Sequence, residues 1–148
     1  MKKLLGMILT LALAAGLAWP VYAESSTVPP EVTAHAYLVM DAQTGQVLVQ
    51  KGGAERNYPA SITKIMTLAL AMEKCGGDMT QQVTVSPDAV YSLEAGSSHV
   101  ALQPGEVVSL NDLFHATILA SANDAASVLA VDTSGSLAAF AAQMNVRA

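Results

Sequence analysis

Cysteine is nearly absent from this chain. Cys75 stands alone, so no internal disulfide can form and stability has to come from a packed core. A basic surplus is absent as well: 12 acids against 7 lysines and arginines leave a net charge of −5, a poor match for nucleic acid or anionic lipid. The three histidines, His35, His99 and His115, share no metal-ligand spacing. After the first residues there is no second long apolar run, no internal repeat and no low-complexity tract. The length, 148 residues, suits one domain or part of one once a leader is removed.

That leader is at the start. Lys2 and Lys3 precede an apolar run from Leu4 to Leu17, and Val21-Tyr22-Ala23 stands before Glu24. Charge, apolar stretch and small residue in that order predict a cleavable secretory signal over residues 1–23, cut after Ala23. The run is short for a membrane span, which disfavours the alternative of an uncleaved anchor. Loss of residues 1–23, with two lysines and no acid, takes the net charge to −7. Residues 24–32, with three hydroxyl residues and two prolines, read as a flexible connection.

Two apolar-rich runs, His35 to Met40 and Gln46 to Gln50, flank Asp41-Ala42-Gln43-Thr44-Gly45 and predict a β-hairpin. A strand is expected near Gln82 to Val85. Ser86-Pro87-Asp88 opens a short helix, and Gln103-Pro104-Gly105-Glu106 is a turn with proline and glycine placed for type II geometry. Ser109 with Asp112 resembles a capping box. Leu110, Leu113, Phe114, Thr117 and Ile118 then recur at helical spacing. Asn123 or Asp124 is the expected cap of the next helix, Ser134-Gly135-Ser136 breaks it, and Leu137, Phe140, Ala141 and Met144 mark the face of a last one. Cys75 and the scattered methionines are expected to fill core.

The centre of this organisation is the segment from Tyr58 to Glu73. Pro59 biases Tyr58 toward extended backbone, so a helix can begin just after. From Ile62 to Met72 only Thr63, Lys64 and Thr67 are polar, which predicts a helix buried almost all round and ended by Gly76-Gly77. Ser61 and Lys64, three apart, share a helix face. Among apolar neighbours an amine's charged form is disfavoured, and a neutral amine beside a hydroxyl can take its proton and make the oxygen a nucleophile. A plainer reading stands beside this one: Ser61 caps the helix and Lys64 snorkels to the surface. Ser121-Ala122-Asn123, between two helices, presents a hydroxyl and an amide that can relay a proton and hold a peptide group, or can serve as helix punctuation.

Ser61-Ile62-Thr63-Lys64 and Ser121-Ala122-Asn123 are similar to the first two of three motifs of the penicillin-binding and serine β-lactamase group. With their flanks, Tyr58-Pro59-Ala60 and Ile65-Met66-Thr67 around the first, Leu119-Ala120 and Asp124-Ala125-Ala126 around the second, they resemble the low-molecular-weight D-alanyl-D-alanine carboxypeptidases of the S11 peptidase family. Ala42 to Leu48, Gln103 to Glu106 and Phe140 to Asn145 match as well, so the resemblance covers residues 32–148. It implies an α+β fold, an antiparallel sheet with a helical subdomain, of which residues 24–148 form the N-terminal part. It implies that Ser61 attacks the carbonyl between the last two D-alanines of a peptidoglycan stem peptide, with Lys64 as base. Ser121 passes the proton to the leaving D-alanine, Asn123 binds the substrate backbone, and the Ser61 N–H is half of an oxyanion hole. β-Lactam antibiotics are expected to acylate Ser61; no metal or cofactor is implied. The expected location is the periplasm or the outer face of the cytoplasmic membrane, with membrane association only through parts absent from this chain.

The third motif, Lys-Thr-Gly, does not occur in the sequence. The chain is therefore expected to be a truncated catalytic domain whose later strands are missing, with negligible carboxypeptidase activity by itself. Two other functions share the same residues: a serine β-lactamase, and a catalytically inactive peptidoglycan-binding module.

Overall fold

A computed structural model describes residues 30–148; the expected signal over residues 1–23 lies outside the described residues. The chain divides into two units, one ending at Arg56 and the other running from Asn57 to Ala148.

The first unit holds the expected hairpin. β1 (Tyr37–Met40) pairs antiparallel with β2 (Val47–Lys51), Tyr37 opposite Lys51 and Val39 opposite Val49, with an irregularity that brings Met40 opposite Val47. Asp41 builds the turn. Its carboxylate accepts the Thr44 hydroxyl and N–H, each at 2.7 Å, and the Gln43 N–H at 3.1 Å. These bonds, the Thr44 hydroxyl first, hold the Asp41 carboxyl below the usual carboxylate range. At Gly52, φ is +60° and a Cβ would stand 3.2 Å from that of Ala36, a tight approach in a left-handed conformation, and both favour glycine.

The second unit begins with a 3-10 turn, Ala60–Ile62, that runs into α1 (Thr63–Cys75), and Gly76 ends α1 in the left-handed conformation. There follow β3 (Gln82–Thr84), α2 (Pro87–Tyr91), β4 (Val107–Ser109), α3 (Leu110–Leu119), α4 (Asn123–Ser134) and α5 (Leu137–Arg147). Ser86, Ser109 and Ser136 cap α2, α3 and α5, each accepting the N–H three residues on. In the Gln103–Glu106 turn, Gly105 has φ 85° and the Glu106 N–H reaches the Gln103 carbonyl at 3.0 Å. It returns the chain so that β4 lies antiparallel on β3, with Val83 opposite Val108. β4 is a strand not expected from the sequence, where Val107 and Val108 read only as the approach to the Ser109 cap.

Helix α4 is the middle of this unit. Ala125, Val128 and Leu129 on α4 are buried against Leu113 and Phe114 of α3 and Ala71 of α1. Phe140 of α5 packs with Leu70 and Ala130, flanked by Leu137 and Met144. The expectation that α1 is buried nearly all round needs correction: its partners α3, α4 and α5 leave it half-covered. Lys64, Thr67, Leu70 and Ala71 turn inward while Ile65 and Met72 are exposed. Positions 64, 67 and 71 recur at i, i+3 and i+7, so two of the segment's few polar residues sit on its inner face. The architecture is α+β: among the described residues, two small antiparallel sheets and a layer of helices.

Candidate active site

Ser61 sits inside the 3-10 turn, preceded by Ala60 at φ 48° and steadied by the Ile62 N–H on the Pro59 carbonyl at 3.1 Å. One turn on, in the first turn of α1, Lys64 is buried with 9% of its surface exposed, and its Nζ donates to Ser61 Oγ at 3.4 Å. That distance is long for a hydrogen bond, as such contacts often are before a substrate is bound. The expectation that the two side chains share a face holds, with Ser61 in the tighter turn and Lys64 in the α-helix.

Ser121 comes from sixty positions away. Helix α3 ends with Ala120 as its C-cap, and the next residue, Ser121, turns left-handed at φ 52°. Its Oγ donates to Ser61 Oγ at 2.9 Å. Asn123 opens α4, and both its N–H, at 2.8 Å, and its Nδ2, at 3.0 Å, go to the carbonyl of Ser98. Ser61, Lys64, Thr67 and Asn123 line one cleft of about 580 Å³, to which Leu137, Phe140 and Met144 of α5 contribute apolar surface. Chemically this is an alcohol with an amine and a second alcohol both within reach of its oxygen, an arrangement that can move a proton off the nucleophile and onto another atom.

Two residues of this region carry roles that sequence reasoning did not assign. Ser98, exposed on the loop after α2, holds Asn123 through its carbonyl and donates its own Oγ to the Ala120 carbonyl at 2.7 Å. Asp124 was expected, with Asn123, as a cap of α4. The N-cap is Ala122, with no side-chain bond, and the Asp124 carboxylate turns instead to the N–H groups of Val100 and Leu102. The available signal was an acid at the head of a mostly apolar stretch, Ala125-Ala126-Ser127-Val128. Among the described residues, no three His, Cys, Asp or Glu side chains are grouped to hold a metal ion.

The profile of the D-alanyl-D-alanine carboxypeptidase family, peptidase S11, matches residues 23–148. The sequence is similar to D-alanyl-D-alanine carboxypeptidase DacC of Escherichia coli, 38% identical over 129 residues that make up 83% of this chain and 32% of the relative. It is also similar to D-alanyl-D-alanine carboxypeptidase DacF of Bacillus subtilis, 30% identical over 151 residues, 100% of this chain and 39% of the relative. The fold is similar to that of penicillin binding protein 6B from Escherichia coli, with a TM-score of 0.74 at 33% identity over 84% of this chain and 41% of that one. The chain spans about a third of the length of the curated relatives it matches. With a match that runs across both units and both motifs, the chain belongs to the peptidase S11 family of D-alanyl-D-alanine carboxypeptidases.

Proposed function

We propose that this protein is an exported serine-type D-Ala-D-Ala carboxypeptidase that removes the terminal D-alanine from peptidoglycan stem peptides through an acyl-enzyme on Ser61. The observation that carries this reading is the convergence on one oxygen: Ser61 Oγ has Lys64 Nζ at 3.4 Å and Ser121 Oγ at 2.9 Å. A free serine hydroxyl is a weak nucleophile and needs an adjacent base.

The steps follow from that placement. Lys64 Nζ accepts the Ser61 proton as Oγ bonds to the carbonyl carbon between the two D-alanines. The carbonyl π electrons move to oxygen, where the backbone N–H of Ser61 is the proposed donor; such donors matter because the charge exists only in the tetrahedral state. As the C–N bond breaks, the leaving nitrogen takes the proton of the Ser121 hydroxyl, which is restored from Lys64. Water then attacks the ester along the same proton path in reverse, and Ser61 leaves with its proton. Asn123 lines the same cleft and is the proposed partner of the substrate's amide backbone. β-Lactams present a strained amide to the same serine and are the proposed inhibitors. The proposed activity on cell-wall substrates calls for a location on the outer side of the cytoplasmic membrane, which the secretory signal expected over residues 1–23 would serve.

The test is covalent labelling. The protein expressed from its gene, incubated with a fluorescent penicillin and digested, should carry a persistent adduct on the peptide containing Ser61, absent in Ser61→Ala. Fast release of hydrolysed penicillin would indicate a β-lactamase, and no adduct a non-catalytic wall-binding protein; either result overturns the proposal.

A further inference from the structure

Asp124 is a carboxylate with 1% of its surface exposed. Both its oxygens lie 3.2 Å from the Val100 N–H; Oδ2 also accepts from Leu102 at 3.0 Å and Oδ1 from Ala125 at 2.9 Å. Val100 and Leu102 flank Ala101, which is left-handed at φ 62°, a conformation that a residue with a Cβ keeps only when its surroundings impose it. Residues 98–101 are exposed and Leu102 alone of this loop is buried, so burial does little to fix the loop. Charge-assisted bonds from backbone N–H to a carboxylate are the stronger anchor. At its other end the loop meets the proposed active site. The Ser98 carbonyl takes both donors of Asn123, and the Ser98 hydroxyl bonds the carbonyl of Ala120, the residue before Ser121.

We propose that Asp124 is a positioning residue: by gripping Val100 and Leu102 it seats the 98–102 loop, and through Ser98 that loop orients the Asn123 amide and the turn that carries Ser121. The inference deepens the acyl-transfer reading and rests on it for its consequence in catalysis. Its structural half, that Asp124 holds the loop, stands apart from that reading.

Asp124→Asn preserves the shape and places an amide NH2 where an oxygen now accepts. In the protein expressed from its gene, amide exchange at Val100 and Leu102 should quicken, and acylation of Ser61 by a penicillin should slow by about tenfold or more, as expected for a displacement below 1 Å. Asp124→Glu, which keeps the carboxylate, should recover part of the rate. Ser98→Ala, a change at an exposed position, should slow acylation several-fold without moving the melting temperature and serves where Asp124→Asn folds poorly. Unchanged exchange in Asp124→Asn, or wild-type acylation rates in Asp124→Asn or Ser98→Ala, would overturn the proposal. A wild-type protein that takes no label at Ser61 fails the acyl-transfer reading instead, and with it the catalytic consequence, while the exchange measurement still decides whether Asp124 holds the loop.

Discussion

Methionine has the length of lysine without its nitrogen, so Lys64→Met removes the Nζ that lies 3.4 Å from Ser61 Oγ and little else. The side chain is 9% exposed and belongs to the inner face of α1 with Thr67, Leu70 and Ala71, surroundings that accept a thioether readily. A buried amine is the costlier group to keep from water, so the variant should unfold at the same temperature as the wild type or above it. Its chemistry should suffer. Loss of a positioned general base costs about 100- to 10,000-fold in rate, a barrier higher by roughly 3 to 5 kcal/mol. The assay is the time course of Ser61 labelling by a fluorescent penicillin in the protein expressed from its gene, with calorimetry on the same samples. Lys64→Arg separates two accounts of the residue. Arginine carries a fixed positive charge and cannot give up its proton, so it should be as slow as methionine if Lys64 is the base. It should restore the rate if Lys64 acts only as a fixed cation. Labelling of Lys64→Met at the wild-type rate, with melting unchanged, would refute the proposed base.

The scaffold yields further expectations. Leu113 is fully buried between α3 and α4, so Leu113→Ala should destabilise the protein by about 2 to 5 kcal/mol in urea unfolding, and an unmoved midpoint would remove it from the core. The Thr117 hydroxyl is buried without a hydrogen-bond partner among the described residues; Thr117→Val, nearly the same shape, should raise stability by about 1 kcal/mol, and a loss would mean that the oxygen has a partner. Asp41 titrates below its ordinary value of 3.8 because Thr44 hydrogen-bonds the ionised form. Its contribution to the hairpin is therefore complete above that value and is lost as pH falls through the lower folded-state value. Thr44→Val should move the Asp41 titration, followed by NMR, up toward 3.8, and an unmoved titration would contradict the hydrogen-bond origin.

Local signals carried the fold a long way. Serines at 86 and 109, glycines at 76 and 105, and the helical spacing of Leu110, Leu113, Phe114 and Thr117 each name a boundary or face that the structure shows, because caps, left-handed turns and helical stripes are decided within a few residues; Ile118, expected on the same face, is exposed instead. Ser61 and Lys64 were legible for the same reason, being one turn apart. What could not be read locally depends on partners distant in sequence. Whether Ile65 or Lys64 faces inward is set by where α3, α4 and α5 lie, and composition alone favoured the wrong answer for the outer face of α1. Only the motif resemblance, and no local pattern, pointed from Ser121 to Ser61. Asp124 looked like one more cap because its true partners, Val100 and Leu102, precede it by more than twenty residues.

Backbone strain shows the same division. Wherever the described chain needs a left-handed turn for connection alone it uses glycine, as at 45, 76, 105 and 135. Three positive-φ residues carry side chains instead: Ala60 just before Ser61, Ser121 itself, and Ala101 between the two N–H groups that Asp124 holds. Nothing in the letters alanine or serine announces such a conformation, so these positions are silent in the sequence and conspicuous in the structure. Each costs about 1 to 3 kcal/mol and persists only where the surroundings impose it. For Ser121 those surroundings are the Ala120 and Ala122 N–H groups, both on the Ala116 carbonyl, together with the Ser98 hydroxyl on Ala120. The geometry around Ser61 is thus maintained by the helical layer and the loop it anchors. For that reason a change at buried Asp124 should register at an oxygen it does not touch.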